Sequence, residues 1–114
     1  FLGGEAFYGA TTLEYIKLSN NLTEIRGETF EYCESLKSIV IPDKVKRIGG
    51  HAFYGDTNLS EVIISDKSSL EEIGSSAFRR CDSLYNISIP SRTYVNERAF
   101  KESPTKITKV YPRY

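Results

Sequence analysis

The apolar positions of this chain recur with a period of about 23 residues, the length of one solenoid repeat. A phenylalanine that follows a small residue occurs five times at nearly constant spacing. An aliphatic residue stands five positions before each phenylalanine, and others stand six, nine and eleven positions after the first four. The repeated phenylalanines are Phe7, Phe30, Phe53, Phe78 and Phe100. So many coincident positions indicate an internal repeat.

Each repeat unit predicts three local elements. The clearest unit, Ile73–Pro90, has the skeleton I-G-x-x-A-F-x-x-C-x-x-L-x-x-I-x-I-P. Its L-x-x-I-x-I end alternates with period two and is rich in β-branched residues, which predicts a short parallel strand that the proline ends. The x-x-A-F-x-x-C portion predicts a single helical turn, held by packing its phenylalanine inward. The aliphatic residue and glycine before it predict a short extended or turn segment.

A unit of this length cannot bury its apolar side alone, so neighbouring units must stack. The period and the L-x-x-I-x-I pattern are typical of a leucine-rich repeat. We therefore predict an α/β fold, a right-handed leucine-rich-repeat solenoid of about five coils of about 23 residues. Short parallel strands would form its concave face, with single helical turns and short extended segments elsewhere. Residues 1–114 are predicted to form a single domain; since Leu2 lies within a unit, we expect a fragment of a longer protein.

The repeat resembles the BspA-like (Treponema-type) leucine-rich repeat family over residues 2–100. The final unit departs from the pattern, because Lys106 takes the leucine position and Ile107 and Val110 fit only after a one-residue slip. We expect a degenerate terminal coil there. The resemblance implies an extracellular or cell-surface protein that binds host matrix or plasma proteins, such as fibronectin and fibrinogen, or adheres to cells.

Composition and charge narrow the classes of partner. The net charge is zero, which argues against nucleic acid, and no apolar run is long enough for membrane insertion. The charges are unevenly placed: residues 1–43 carry seven acidic against three basic side chains, and residues 91–114 carry six basic against two acidic. If the coils stack in order, this gradient follows the solenoid axis and favours end-to-end self-association.

The sequence favours no catalytic, cofactor or metal site. It contains none of the phosphate-loop, nucleophile-elbow or zinc-protease motifs, so we predict that the chain is not an enzyme. Cys33 and Cys81 lie two coils apart, roughly 10 Å, which is too far for a disulfide. We predict two free, inward-facing thiols; a metal site of both cysteines with Asp56 is the disfavoured alternative, because zinc needs four ligands. His51 is interpreted as a solvated residue on the outer turn.

The concave strand face is the candidate binding surface. If positions nine and eleven after each phenylalanine point inward, positions eight and ten point outward. Val40 and Ile63 would then be exposed side by side, with Tyr15 and Tyr85 at the edges, a composition enriched at interfaces. The predicted protein-binding residues are Tyr15, Lys17, Ser38, Val40, Glu61, Ile63, Tyr85, Asn86 and Ser88.

Two functions fit this face. The first is a non-catalytic protein-binding module that adheres to a protein ligand. The second is a structural spacer that supports another domain, in which case the exposed β-branched residues are merely tolerated on a small sheet.

Overall fold

Short parallel strands, stacked coil on coil, build this protein. The structure is a computed structural model that describes residues 3–111, so Leu2 lies outside the described residues. Each coil contributes a strand of two residues and a strand of four or five, and every pairing is parallel. The strands are β1 (Glu24–Ile25), β2 (Ser38–Ile41), β3 (Arg47–Ile48), β4 (Glu61–Ile64), β5 (Glu72–Ile73), β6 (Asn86–Pro90), β7 (Tyr94–Val95) and β8 (Lys106–Val110).

The two strands of each coil fall on two sides of the solenoid. On one side β1, β3, β5 and β7 form a continuous four-stranded sheet, with Ile25, Ile48, Ile73 and Val95 in register. On the other, which we call the long-strand side, β2 pairs with β4 and β6 pairs with β8. The long-strand side carries the residues predicted for the concave binding face.

A stack of phenylalanine rings runs through the core. The five rings lie nearly parallel, with successive centroids 5.0 to 5.4 Å apart. Phe30, Phe53 and Phe78 are fully buried, as are Leu36 and Leu59 beside them in the same coils. Parallel strands stack about 4.8 Å apart, so one ring at the same position of every coil comes directly into stacking distance of the next. The repeated phenylalanine is therefore the residue that couples one coil to its neighbours.

The glycine after the short strand allows two coils to approach closely. A Cβ on Gly49 would lie 2.5 Å from the backbone N of Gly27, and one on Gly74 would lie 2.8 Å from that of Gly50. Backbone atoms cannot yield to such an overlap. The repeated I-G pair is therefore a packing requirement between coils.

The segments around the phenylalanines are tight turns, so the predicted helical turns are wrong. Phe30 N donates to Ala52 O and Tyr32 N donates to Tyr54 O of the next coil, each at 2.8 Å. A helix would need these N–H groups for its own carbonyls. Glu28 also has a φ of 64°, a left-handed value that a right-handed helix does not accept. Among residues 3–111 there is no helix, and hence none with the length and apolarity of a membrane span.

The described chain makes about four turns of the solenoid, compared with the predicted five. Residues 15–18, the strand segment of the first unit, form no strand. The last coil does form a strand, in which Ile107 pairs with Ile87. Ile107 stands seven positions after Phe100, whereas Ile87 stands nine positions after Phe78. The final coil is thus shorter by two positions, and the predicted one-residue slip is wrong. The residues of β8 are all exposed.

Candidate protein-binding face

An exposed aliphatic pair lies on the long-strand side. Val40 on β2 and Ile63 on β4 are register partners, with 55% and 42% of their surfaces exposed. Their neighbours Ile39 and Val62 are buried, as the alternation of side chains along a strand requires. The predicted inward and outward positions are therefore correct on these two strands.

The other residues predicted for this face surround the pair. Tyr15 and Tyr85 are exposed by 63% and 61% and lie outside the strands. Ser38 is half-buried and is the register partner of the exposed Glu61. The remaining exposed positions are Lys17, Asn86 and Ser88. The structure thus places all of the predicted residues on or beside the long-strand side, while their role in binding stays a prediction.

A groove separates β4 from β6. On one side of the groove, Ser60 N donates to Lys37 O at 2.9 Å and extends the pairing of β2 with β4. On the other side, Lys106 N donates to Tyr85 O at 2.8 Å and extends the pairing of β6 with β8. Within residues 3–111, the equivalent bond from Tyr85 N to Ser60 O is missing, and β4 and β6 form no ladder. The opening has a volume of about 380 Å³. Its lining consists of Ser60, Glu61, Val62, Ile63, Ile64, Asn86, Ile87 and Ser88.

The groove, which we call the β4–β6 groove, continues into a second cavity at the strand ends. This cavity has a volume of about 590 Å³ and shares Ile64 and Ser88 with the first. The charged residues in its lining are Asp66, Lys67 and Arg92. The groove was not predicted from the sequence. The nearest signal in the sequence is the longest phenylalanine spacing, from Phe53 to Phe78, whose two extra positions fall between Ile64 and Leu70 beside the second cavity.

The two cysteines are free and buried, as predicted. Cys33 N donates to Asp56 Oδ1 at 2.9 Å, and Cys33 Sγ donates to Phe7 O at 3.2 Å. Burial raises the pKa of Cys33 to about 12 and that of Asp56 to about 9. These groups are therefore protonated at neutral pH, and in the structure they pack and hydrogen-bond between coils.

His51 lies on the outer turn with part of its side chain in solvent, and it also faces a carboxylate of the preceding coil. It is half-buried, and its Nδ1 lies 3.8 Å from Glu31 Oε2 on the preceding coil. Glu28 contributes a second carboxylate to the same cluster. Both carboxylates belong to the coil before that of His51 and are distant from it in the chain, so only the stacking of coils brings the three together.

These features together define a leucine-rich repeat protein: one parallel strand pair per coil, a short period that repeats along the whole chain, and a phenylalanine stack. More closely, residues 1–112 match the family model described as "BspA type Leucine rich repeat region", in six copies. The chain belongs to that family.

Solved structures of leucine-rich repeat proteins from bacteria are similar to this one. A leucine-rich repeat protein from Bacteroides ovatus is 33% identical, with a TM-score of 0.82 over 95% of this chain and 28% of its own length. The pneumococcal vaccine antigen PcpA is 26% identical, with a TM-score of 0.68 over 75% of this chain and 21% of its own. A leucine-rich cell surface protein from Faecalibacterium prausnitzii is 25% identical, with a TM-score of 0.56 over 87% and 32%. The comparison with curated proteins found no significant match.

Proposed function

We propose that this chain is a non-catalytic protein-binding module of a secreted or cell-surface protein, and that it binds through the long-strand side. The observation that carries the proposal is the exposed Val40–Ile63 pair at the edge of the β4–β6 groove. Aliphatic side chains exposed side by side, next to a concave surface, are a common feature of protein interfaces. Leucine-rich repeats generally act as scaffolds for protein interactions, which supports a role without catalysis.

The surroundings of the pair have the composition of an interface. Tyrosines lie towards the two edges, and Glu61, Asn86 and Ser88 supply a polar rim. Completing the burial of Val40 and Ile63 would contribute about 1 kcal/mol each, since each is already half covered. Together this is roughly a thirtyfold gain in affinity.

The structural neighbours support an extracellular location. One neighbour is described as a cell surface protein and another as a pneumococcal vaccine antigen. By analogy we assign this chain to the outside of the cell, with a host matrix or plasma protein as its partner. We also propose that residues 1–114 act as one repeat domain. The balanced net charge favours a protein partner over nucleic acid.

The test is a double substitution, Val40→Glu with Ile63→Lys, assayed by binding to immobilised fibronectin and fibrinogen. The matched control is Tyr94→Glu, which alters a residue that is 60% exposed on the opposite, four-stranded sheet. We expect the double variant to lose binding while the control binds like the unmodified chain. Circular dichroism of all three proteins checks that each is folded.

The competing function is a structural spacer, which the continuous phenylalanine stack and four-stranded sheet would also serve. A spacer needs no ligand on the long-strand side. If the unmodified chain binds neither matrix protein, or if the double variant binds as well as the control, the adhesion proposal is wrong and the spacer is favoured.

A further inference from the structure

Two carboxylates and the single histidine meet on the turns of two neighbouring coils. Glu28 and His51 occupy equivalent positions, two before Phe30 and Phe53, with left-handed φ values of 64° and 62°. Glu31 follows Phe30 on the same turn as Glu28. One ligand atom from each of Glu28, Glu31 and His51 lies within 4.8 Å of the other two. Coil stacking, not sequence proximity, therefore creates this cluster.

Glu31 is a buried carboxylate that lacks a partner for one of its oxygens. Its side chain is only 8% exposed, and Oε1 has no hydrogen-bond partner among the residues that the structure describes. The other oxygen, Oε2, lies towards Nδ1 of His51. Buried polar atoms are normally satisfied, so an orphaned carboxylate oxygen indicates a missing partner. The carboxylate belongs to the cluster with His51 and Glu28, so that partner would sit among them.

The local charge favours a cation in this position. Burial raises the pKa of Glu31, and the nearby Glu28 and Glu5 raise it further while His51 opposes them. Among the groups that shift the pKa of Glu31, the carboxylates therefore outnumber the imidazole. A bound cation would relieve the repulsion among the carboxylates and supply the missing partner of Glu31.

The position of Glu31 also differs from that of its counterparts. In the coils on either side, tyrosines stand directly after the phenylalanine, at Tyr8 and Tyr54. The ring of Tyr54 lies 5.1 Å from that of His51 and holds the imidazole beside the carboxylates. In the last two coils the same position holds Arg79 and Lys101, so Glu31 is the one carboxylate among the five residues that follow a repeated phenylalanine.

We propose that Glu28, Glu31 and His51 bind a divalent transition-metal ion, of which Zn²⁺ is the reference. Two carboxylate oxygens and one imidazole nitrogen are ligands that zinc uses, with water completing the tetrahedron. The imidazole ligand discriminates against Mg²⁺ and Ca²⁺, which prefer oxygen alone. Ligand atoms around zinc lie roughly 3.4 Å apart, so the cluster must tighten; Glu28, less buried than Glu31, can move.

The ion would cross-link two neighbouring coils, since Glu28 and Glu31 come from one and His51 from the next. Because it binds only the folded arrangement, it should stabilise the solenoid increasingly as its concentration rises above the dissociation constant. This inference does not depend on the long-strand side, which lies elsewhere on each coil.

Calorimetric titration with ZnCl₂ tests the proposal on the unmodified chain and on three variants. His51→Gln and Glu31→Gln remove proposed ligands, and Glu34→Gln removes an exposed carboxylate of the same coil as a control. We expect one Zn²⁺ per chain, and a loss in the ligand variants larger than the roughly tenfold cost of losing an outer-shell partner. Glu34→Gln should bind like the unmodified chain, and excess Mg²⁺ should not compete.

Thermal unfolding provides a second measurement. Zn²⁺ should raise the melting temperature of the unmodified chain and of Glu34→Gln but not that of His51→Gln. Since His51 is half-exposed, His51→Gln keeps the test valid even if Glu31→Gln fails to fold. The proposal is overturned if the unmodified chain binds Zn²⁺ no better than His51→Gln, or if Glu34→Gln loses as much affinity as the ligand variants.

Discussion

Replacing Asp56 with asparagine should remove most of the pH dependence of stability between pH 5 and pH 8. In the native chain, one carboxyl oxygen of Asp56 accepts the N–H of Cys33 and the other is buried. Asparagine has the same shape, keeps the accepting oxygen, and replaces the protonated oxygen with an NH₂ group. The substitution therefore removes the titration while preserving the packing.

The sign and size of the effect follow from the folded-state pKa. Burial raises the pKa of Asp56 from 3.8 to about 9, so the folded chain keeps a proton that the unfolded chain releases. Stability is then greatest at low pH and falls as the pH rises from about 4 to about 9, at about 1.4 kcal/mol per pH unit. Between pH 5 and pH 8 the loss amounts to about 4 kcal/mol.

Urea unfolding followed by circular dichroism at pH 5, 6, 7 and 8 measures this difference. Asp82→Asn, a change at an exposed aspartate on the next coil, is the control and should follow the unmodified chain. Staying at or below pH 8 keeps most cysteine thiols of the unfolded chain protonated, and their small contribution is common to all three proteins. Other groups with raised pKa values, such as Glu31, are common to all three proteins and cancel in the comparison. Parallel stability curves for Asp56→Asn and the unmodified chain would refute the reasoning.

Three other predictions test the stack, the thiols and the charge gradient. Phe53→Ala should lower the free energy of unfolding by about 3–5 kcal/mol, because the ring is fully buried between two others. Phe100→Ala, at a half-buried position, should lower it less, and equal losses in chemical denaturation would contradict this prediction. Cys33 and Cys81 should react with a thiol reagent only after denaturation, because both are buried and burial raises the pKa of both thiols. The reaction is followed by absorbance, and rapid reaction of the folded chain would show that the thiols are accessible. End-to-end self-association should raise the mass measured by light scattering at low salt and disappear at high salt, so a monomer at every ionic strength argues against it.

The sequence predicted the fold well where one residue meets its own equivalent in the next coil. Each phenylalanine stacks on the next, and Ile48 pairs with Ile73, so a repeated letter is enough to predict the contact. Alternation along β2 and β4 likewise predicted that Val40 and Ile63 are exposed. Such contacts depend only on period and position.

The errors arose where neighbouring coils exchange groups or differ. The helical turns were wrong because the amides of Phe30 and Tyr32 bond to the next coil, a choice that local propensity does not reveal. The cluster around His51 was missed because its partners are in the preceding coil. The β4–β6 groove was missed because β4 and β6 stand at the regular distance from Phe53 and Phe78, so the apolar pattern does not reveal that their pairing is interrupted.

The interrupted pairing between β4 and β6 also bears on the mechanics of the solenoid. At this coil boundary the molecule is joined by the β3–β5 ladder and the Phe53–Phe78 stack, whereas its long-strand side is open. Bending there changes the distance between β4 and β6 without breaking a ladder hydrogen bond. We therefore expect this boundary to bend more readily than those where the long strands are paired, so that the curvature of the solenoid and the width of the groove change together. A ligand that fills the groove would fix the angle between the two halves of the molecule.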